Sequence, residues 1–424
     1  MNVLRQILRK IIECFLIVLV KIKTWRVRPI VIGVTGSIGK TSTKEAIAAV
    51  LAKKHKVYRP QKSYNTEIGL LLGILEQESG FSSPIKWIKI MSRALWNSFF
   101  GKKYAFWVLE YGADKPGDIQ HLIKIVRPNV GVITKIAQVH QAPGQFMNID
   151  AIFAEKKYLV TCLCKDELAI LNYNDKHLKT LEGKTKASIL WFNRENQIEA
   201  SELKNDLDGF SAKIHFERET THAHFPILGA FHIDIFLPAL LIGSKFGISL
   251  TQGIEALQTF QLPPSRLSRI EGINGSILLD SSYNASPTTV KAALELLKEL
   301  PAKRRIAVLG NMNELGAYSI KAHSEIGKLL GPWIGLLITV GEYASHIAEE
   351  ALNQGLPESR IVALSSAQEA GEFLQTFLQK GDMTLFKGSQ NKVRLEIAIK
   401  LVMQHPARAK KLLCRQEEEW KKIS

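Results

Sequence analysis

The stretch Ile30-Val-Ile-Gly-Val-Thr-Gly-Ser-Ile-Gly-Lys-Thr-Ser-Thr-Lys-Glu45 decides how the rest of the chain is read. Ile30 to Val34 is a short apolar run rich in β-branched residues, the composition of a buried strand. A glycine-rich turn follows, and Glu45 to Leu51 are good helix formers. Strand, glycine turn and helix in this order make a phosphate-binding loop. Gly36 and Gly39 let the backbone curl so that successive N–H groups point at phosphate oxygens, and the helix N-terminus adds partial positive charge. Lys40 is placed to reach the β- and γ-phosphates of a nucleotide, and the Thr41 hydroxyl to ligate Mg²⁺; Ser37 and Ser42 belong to the same loop. The common form of the motif has Gly five residues before the Gly-Lys pair, where this chain has Val34. The fit is to Gly-x-Thr-Gly-Ser-x-Gly-Lys-Thr, led by Gly33. An ordinary glycine turn is the alternative, but it does not account for Gly-Lys-Thr falling where phosphate binding needs it.

The chain has 424 residues, room for two to three domains, and 46% hydrophobic residues are ample for real cores. A net charge of +16 points to an anionic partner: nucleotide, nucleic acid or membrane surface. No long basic tract or nucleic-acid motif occurs, which ranks nucleic acid last. Cys14, Cys162, Cys164 and Cys414 form neither a zinc pattern nor a disulfide framework, so a reducing cytoplasm is expected.

Residues 1–28 repeat Leu4, Leu8, Ile11, Phe15, Val18 and Ile22 at helical spacing. Arg5, Arg9 and Lys10 precede the apolar core Ile11–Val20; Lys21, Lys23, Arg26 and Arg28 follow it. That core contains Glu13 and is short of the ~20 residues a span needs. No small-residue cleavage site follows, so a helix lying in a membrane interface, or packed on protein, is expected rather than a signal peptide. Pro84–Lys103 is a second basic amphipathic stretch. Lys86, Lys89, Arg93 and Asn97 share one stripe, Ile85, Ile88, Met91, Leu95 and Phe99 the other, with Trp87 and Trp96 added. An interfacial helix and an ordinary surface helix both fit it.

Downstream, Phe106-Trp-Val-Leu-Glu-Tyr-Gly112 reads as a buried strand ending in Glu110, where open α/β sheets place ligand groups. Pro128 to Thr134 is a further strand that runs on through Lys135 to His140. Residues 180–225 alternate as short edge strands, and Pro263-Pro264 marks a hinge. Beyond it strand and helix alternate again (275–280, 288–300, 305–310, 319–330, 335–341, 383–387), and Arg408–Lys422 reads as a solvated terminal helix.

The variant loop, with these later motifs, resembles the Mur ligase family, ATP-dependent amide ligases of peptidoglycan precursor synthesis. The resemblance covers roughly residues 29–400. Asp280-Ser-Ser-Tyr-Asn-Ala-Ser-Pro287, and Leu309-Gly-Asn-Met-Asn-Glu-Leu-Gly316 with His323, are similar to signatures of its D-alanyl-D-alanine-adding branch. The resemblance implies an α/β fold: a P-loop central ATPase domain with a mostly parallel sheet (29–262), then a Rossmann-like C-terminal domain (263–424), after a basic N-terminal helix (1–28). It implies Glu110 and His140 as Mg²⁺ ligands with Thr41. It also implies Lys156, on the helix Ala151–Lys157, as a lysine that CO₂ carbamoylates into a ligand for a second Mg²⁺. Gly36, Ser37, Gly39, Lys40, Thr41, Ser42, His232, Arg266, Asp280 and Asn284 would bind ATP. Lys387, in Lys387-Gly-Ser389, would stand with Lys40, His140 and Lys156 at the reacting groups. Ser63-Tyr-Asn-Thr-Glu-Ile-Gly69 and Leu171-Asn-Tyr-Asn-Asp175 match Asn-rich segments of the family. Several positions depart from its pattern: Lys135 for Asn, Tyr158 for Glu, Phe231 for His, His232 for the Asn that meets adenine, Ser281 and Asn311 for Asp.

The implied activity is ATP-dependent addition of D-alanyl-D-alanine to a UDP-muramoyl tripeptide through an acyl phosphate, with ATP and two Mg²⁺ ions. The branch usually opens with a UDP-holding domain of ordinary size, on the order of a hundred residues. Only 28 residues precede the P-loop domain here. A lipid-linked muropeptide, met by a ligase or amidase peripheral on the inner face of the plasma membrane, is therefore the alternative acceptor. An ATP-binding, membrane-associated protein without ligase activity is the alternative of another class.

Overall fold

The computed structural model describes residues 2–60, 67–78, 84–139, 141–390, 393–417 and 420. Two sheets organise it. The first contains β1 (Ile30–Thr35), β2 (Val57–Tyr58), β3 (Phe106–Glu110), β4 (Val130–Ile133), β5 (Leu168–Asn172), β6 (Ser188–Phe192), β7 (Ile198–Asn205), β8 (Phe210–Phe216) and β9 (Glu219–Phe225). They lie in the order β2-β3-β1-β4-β5-β6-β7-β8-β9. The first six are joined in parallel, and the polar, alternating stretch after residue 180 supplies the antiparallel edge β7-β8-β9. The second sheet contains β10 (Ser268–Glu271), β11 (Ile277–Asp280), β12 (Arg304–Gly310), β13 (Leu336–Val340), β14 (Ile361–Leu364) and β15 (Asp382–Lys387). Its order is β10-β11-β15-β12-β13-β14, parallel except at β10. β10 (Ser-Arg-Ile-Glu) and β14 (Ile-Val-Ala-Leu) are four-residue strands that are not among those expected from the sequence; β10 is also mixed in polarity.

β1 lies between β3 and β4, so both its edges are paired, and a hydrophobic core covers each face. The period of two along the strand divides its side chains between two cores. Ile32 and Val34 join Ile47, Val50 and Phe236 on one side, while Val31 joins Trp107, Leu109 and Ile133 on the other. Each large aliphatic side chain so buried contributes about 1.5–3 kcal/mol. The helix Lys40–Leu51 starts directly after the glycine turn and packs on the first core.

The helix Asn2–Val27 is docked on the second core by Leu16, Leu19 and Val20, with Lys23 fully buried among them. The Lys23 ammonium donates to the Ile74 carbonyl and to Glu76 Oε1, both at 2.8 Å, although burial still lowers its pKa. Of the seam read from the sequence, Phe15 and Ile22 pack partly on this core. Ile11 and Val18 are exposed, because a neighbouring apolar stripe meets the core instead. The side chains of Leu4 and Leu8 lie outside the described residues, as do residues 63–66 of the Asn-rich segment. In the helix Pro84–Phe100 the buried ridge is Ile90, Ala94 and Ser98; Ile88, Leu95 and Phe99, which an ordinary surface helix would have turned to the core, face outward.

The C-terminal stretch also departs from expectation. Among the described residues of Arg408–Lys422, a short helix Ala409–Leu412 leads to Arg415, which is buried. Its guanidinium donates to both Glu396 carboxylate oxygens (2.8 and 3.0 Å) and to the carbonyls of Ser282 and Tyr283.

Candidate active site between the two sheets

The phosphate-loop residues, the ends of β3 and β4, and the loop after β11 line one cleft. Its floor is the turn Gly36–Gly39. Gly36 has φ +146°, and a Cβ there would lie 2.0 Å from Thr134 Oγ1, so a larger residue does not fit. The turn is clamped to the end of β4: the Thr134 hydroxyl donates to Ile38 O (2.6 Å), and Ser37 N donates to Lys135 O (2.7 Å). Lys135 thus serves the loop through its backbone, which any residue supplies, and its side chain is exposed. Gly39 has φ +82° and hands the chain into the helix that begins at Lys40.

Glu110 ends β3, paired with Val34 of β1, and this register sets its carboxylate beside the first helical turn. Thr41 Oγ1 donates to Glu110 Oε2 at 2.8 Å. Arg266, from the start of the C-terminal unit, donates from Nη2 to the same Thr41 oxygen at 3.2 Å. Desolvation in the cleft pulls the Lys40 pKa below that of a free lysine, while Glu110 pulls it back up. Ser42 lies on the same wall.

Behind the loop is Lys156, the last residue of the helix Ile149–Lys156, whose start Asn148 caps by accepting from Ala151 N. Lys156 is fully buried and its ammonium nitrogen has no hydrogen-bond partner. Burial, with Lys40 adding repulsion, lowers its pKa to about 7. Its neighbour Glu155 is engaged elsewhere, accepting from Gly117 N and Ile119 N at 2.8 and 2.6 Å. His140 lies outside the described residues. Among the described residues no cluster of three His, Cys, Asp or Glu side chains gathers.

The opposite wall is built on β11 and β15. Lys387 ends β15, is buried, and donates to Asn284 O (2.9 Å) and Ser281 Oγ (3.2 Å); burial and Arg266 bring its pKa to about 7. Asn284 lines the cleft, and Tyr283 lies under the Arg266 guanidinium at 4.1 Å from the ring centre. Asp280 does not reach the cleft. Its Oδ2 accepts from Ser265 Oγ (2.7 Å) and its Oδ1 from Ser282 N and Oγ (3.0 and 2.7 Å). Completely buried, it pins the turn that carries Arg266 instead of meeting ribose or phosphate. His323 is likewise internal, accepting from Met312 N at Nε2 and facing Ser319 O with Nδ1. Asn311 accepts from Ala344 N.

His232 follows Gly229, which takes φ +93°. Burial lowers its pKa to about 4, so the ring is neutral, and Nδ1 lies 2.8 Å from Leu228 O. A carbonyl partner requires the proton on Nδ1 and leaves Nε2 a lone pair. Beside it is a polar network of which the sequence motifs caught only Asn172. Asn193 donates to Asp234 Oδ1 (2.8 Å) and to Asn172 Oδ1 (3.1 Å), and Asp234 lines the cleft. Asn172 lies in the Asn-rich segment Leu171–Asp175 identified from the sequence, while Asn193 and Asp234 stand alone in the sequence with no local signal to mark them. The two units also touch across the cleft mouth, where Gln141 N donates to Glu314 O at 2.7 Å.

The Mur ligase middle domain model matches residues 34–242, and the model for the Mur ligase glutamate ligase domain matches residues 265–390. The UDP-N-acetylmuramoyl-tripeptide–D-alanyl-D-alanine ligase of Bacillus subtilis is 27% identical over 380 residues, 89% of this chain and 76% of that protein. The enzyme of the same name from Synechocystis is 29% identical over 389 residues, 90% of this chain and 77% of that protein. Among solved structures, MurF from Acinetobacter baumannii superposes with TM-score 0.75 at 24% identity, covering 90% of this chain and 78% of its own. MurF ligase from Thermotoga maritima in complex with ADP also gives TM-score 0.75, at 23% identity and with 94% and 84% covered.

Proposed function

The chain belongs to the Mur ligase family, and from that premise we propose that it is an ATP-dependent ligase joining D-alanyl-D-alanine to a UDP-muramoyl tripeptide. The observation that carries this reading is the cleft itself. A phosphate loop with Lys40, Thr41 and Glu110 faces Lys387, Asn284 and Arg266 on a second α/β unit. We take the units to be residues 1–28, 29–262 and 263–424.

In this reading the tripeptide carboxylate attacks the γ-phosphorus of ATP, an O–P bond forms, and ADP leaves. The amine of D-alanyl-D-alanine then attacks the acyl carbon; phosphate departs and an amide remains. Gly36, Ser37, Gly39, Ser42 and the helix start hold the phosphates, while Lys40 and Arg266 oppose charge building on the transferring group. His232, whose Nε2 accepts only, suits the exocyclic amine of adenine. Lys387, with a pKa about 7, can take up the proton that the attacking amine sheds near neutral pH. Closure of the two units, which touch at Gln141 and Glu314, would keep water from the acyl phosphate.

The donors fit Mg²⁺. A hydroxyl and a carboxylate meet at Thr41 and Glu110, hard oxygen ligands of the kind that hold this ion together with substrate phosphates. When bound, Mg²⁺ would neutralise phosphate charge. For a second ion we assign Lys156 as a carbamate. Its buried, partnerless amine with pKa about 7 is substantially uncharged at neutral pH. The free amine can add to CO₂, forming an N–C bond and losing a proton, and the product is an anion. His140 would complete the set.

The test is phosphate release that depends on both the tripeptide and the dipeptide, with the amide product identified by mass. ATP hydrolysis indifferent to both would leave an ATP-binding protein without ligase activity. A second reading keeps the chemistry and changes the carrier to a lipid-linked muropeptide at the inner membrane face. The exposed apolar helix faces favour it, and parallel assays with UDP-linked and lipid-linked acceptors separate the two. ATP as substrate and four free cysteines fit a cytoplasmic setting.

A further inference from the structure

The helices Asn2–Val27 and Pro84–Phe100 bury one apolar stripe each and expose another. On Asn2–Val27, Ile11, Val18 and Trp25 recur every seven residues on the outer face, at 60%, 54% and 74% exposure. On Pro84–Phe100, Ile88, Leu95, Trp96, Phe99 and Phe100 are all exposed. Single exposed apolar residues are ordinary, whereas two adjacent helices each presenting a continuous apolar line are not. The helices are tied at their C-terminal ends: Arg26 donates to the carbonyls of Ser98 (2.9 Å) and Gly101 (2.8 Å). This sets Trp25 at the same end as Phe99 and Phe100, where the Trp96 and Phe100 rings lie 4.5 Å apart.

The rim of this face is of one sign. Lys10 and Lys21 flank the first line, and Lys86, Lys89 and Arg93 the second, all of them exposed. Pro84–Phe100 has no acidic residue, and Glu13, the sole one on Asn2–Val27, is half-buried near His121 at 3.6 Å. A uniformly basic rim would repel a second copy of itself, and it complements an anionic surface. Among the described residues no helix is long and apolar enough to cross a membrane. Tryptophan and phenylalanine between lysines is the composition of helices lying in the plane of a lipid interface.

We propose that this two-helix face docks on a bilayer containing anionic lipid. The apolar line Ile11–Val18–Trp25 and the cluster Ile88, Leu95, Trp96, Phe99 and Phe100 enter the headgroup–acyl boundary, and the lysines and Arg93 meet lipid phosphates. The proposal is independent of which acceptor the ligase uses.

Co-sedimentation with vesicles tests it, using the full chain and vesicles of phosphatidylcholine alone or with about one third phosphatidylglycerol. The expected result is binding to the mixed vesicles at low salt, about tenfold weaker on phosphatidylcholine alone, and weakened by high salt as the charges are screened. Trp25→Ser with Trp96→Ser and Phe100→Ser, or Lys86→Glu with Lys89→Glu and Arg93→Glu, should each weaken binding by about tenfold or more. Thermal midpoint and nucleotide affinity should stay unchanged, because every substituted side chain faces solvent. Wild-type protein remaining in the supernatant at low salt overturns the proposal, as does undiminished binding of either triple variant. A concentration-dependent dimer in sedimentation velocity, abolished by the three serines while vesicle binding persists, also overturns it and makes the face a protein interface.

Discussion

At the scale of single residues, the cleft concentrates lysines whose ordinary charge is opposed by burial. Lys40→Ala should leave the fold intact, since its side chain is outside the hydrophobic cores, and should cost ATP turnover several kcal/mol, about a hundredfold or more in rate. Turnover near the wild-type rate would remove the phosphate-loop assignment. Lys156 makes a separate prediction. Its folded pKa is about 7, below the free-lysine value, so the uncharged amine that reacts with CO₂ increases as pH rises through 7. Activation by bicarbonate should therefore be larger at about pH 8 than at about pH 6. Lys156→Ala should regain part of its activity with formate or acetate; a variant indifferent to carboxylates would make Lys156 a plain cation facing phosphate. The same shift has a stability sign. Between about pH 7 and the free-lysine value of 10.5, the unfolded chain holds protons that the folded protein has released at Lys156 and Lys387, so their burial penalises stability less as pH rises. Denaturant midpoints of Lys156→Met should rise less over that interval than those of the wild type.

At the scale of elements, the C-terminal segment acts as a latch on a wall of the cleft. Arg415 joins Glu396 to the carbonyls of Ser282 and Tyr283, and Cys414 N donates to Ser265 Oγ at 3.0 Å. The latch thereby holds both the turn that carries Arg266 and the loop that carries Asn284. Arg415→Ala takes its guanidinium from the buried Glu396 carboxylate and leaves Arg394, whose Nε donates to Glu396 Oε1 at 3.2 Å, as the remaining cation, a loss of about 1.5–3 kcal/mol. Equilibrium urea unfolding should show it, and Arg415→Met combined with Glu396→Leu should recover much of it. If Arg415→Ala unfolds like the wild type, the segment is a solvated tail as its composition suggested.

At the scale of the whole molecule, the two units touch across the cleft at Gln141 and Glu314, and their approach there is limited by a glycine. Gly316 has φ +55°, and a Cβ there would lie 2.4 Å from the carbonyl oxygen of Gln141 in the other unit. Gly316→Val should hold the units apart. Nucleotide affinity, dominated by the phosphate loop, should change little, while kcat should fall by about a hundredfold through displaced reacting groups. Small-angle scattering would register a larger radius of gyration. A variant with unchanged kcat would show that turnover does not need this approach.

The sequence by itself determined what depends on neighbours along the chain. The phosphate loop and the alternation of strand and helix each follow from a few consecutive residues, because dihedral freedom at glycine and hydrophobic period are local properties. The helix carrying Lys156 was legible only through the family resemblance. Tertiary structure decided everything that depends on which surfaces meet. Thr41 and Arg266 are 225 residues apart, and no spacing announces their contact. Asp280 sits in a motif that suggested a ligand, yet the hydroxyls of Ser265 and Ser282 claim both its oxygens in the interior. Asn172, Asn193 and Asp234 gather only because β5, the end of β6 and the helix Ile233–Lys245 converge. The first helix and Pro84–Phe100 are the plainest case. Each carries two apolar stripes, periodicity is the same for both, and only docking on the core selects which one is removed from water and which is left to face outward.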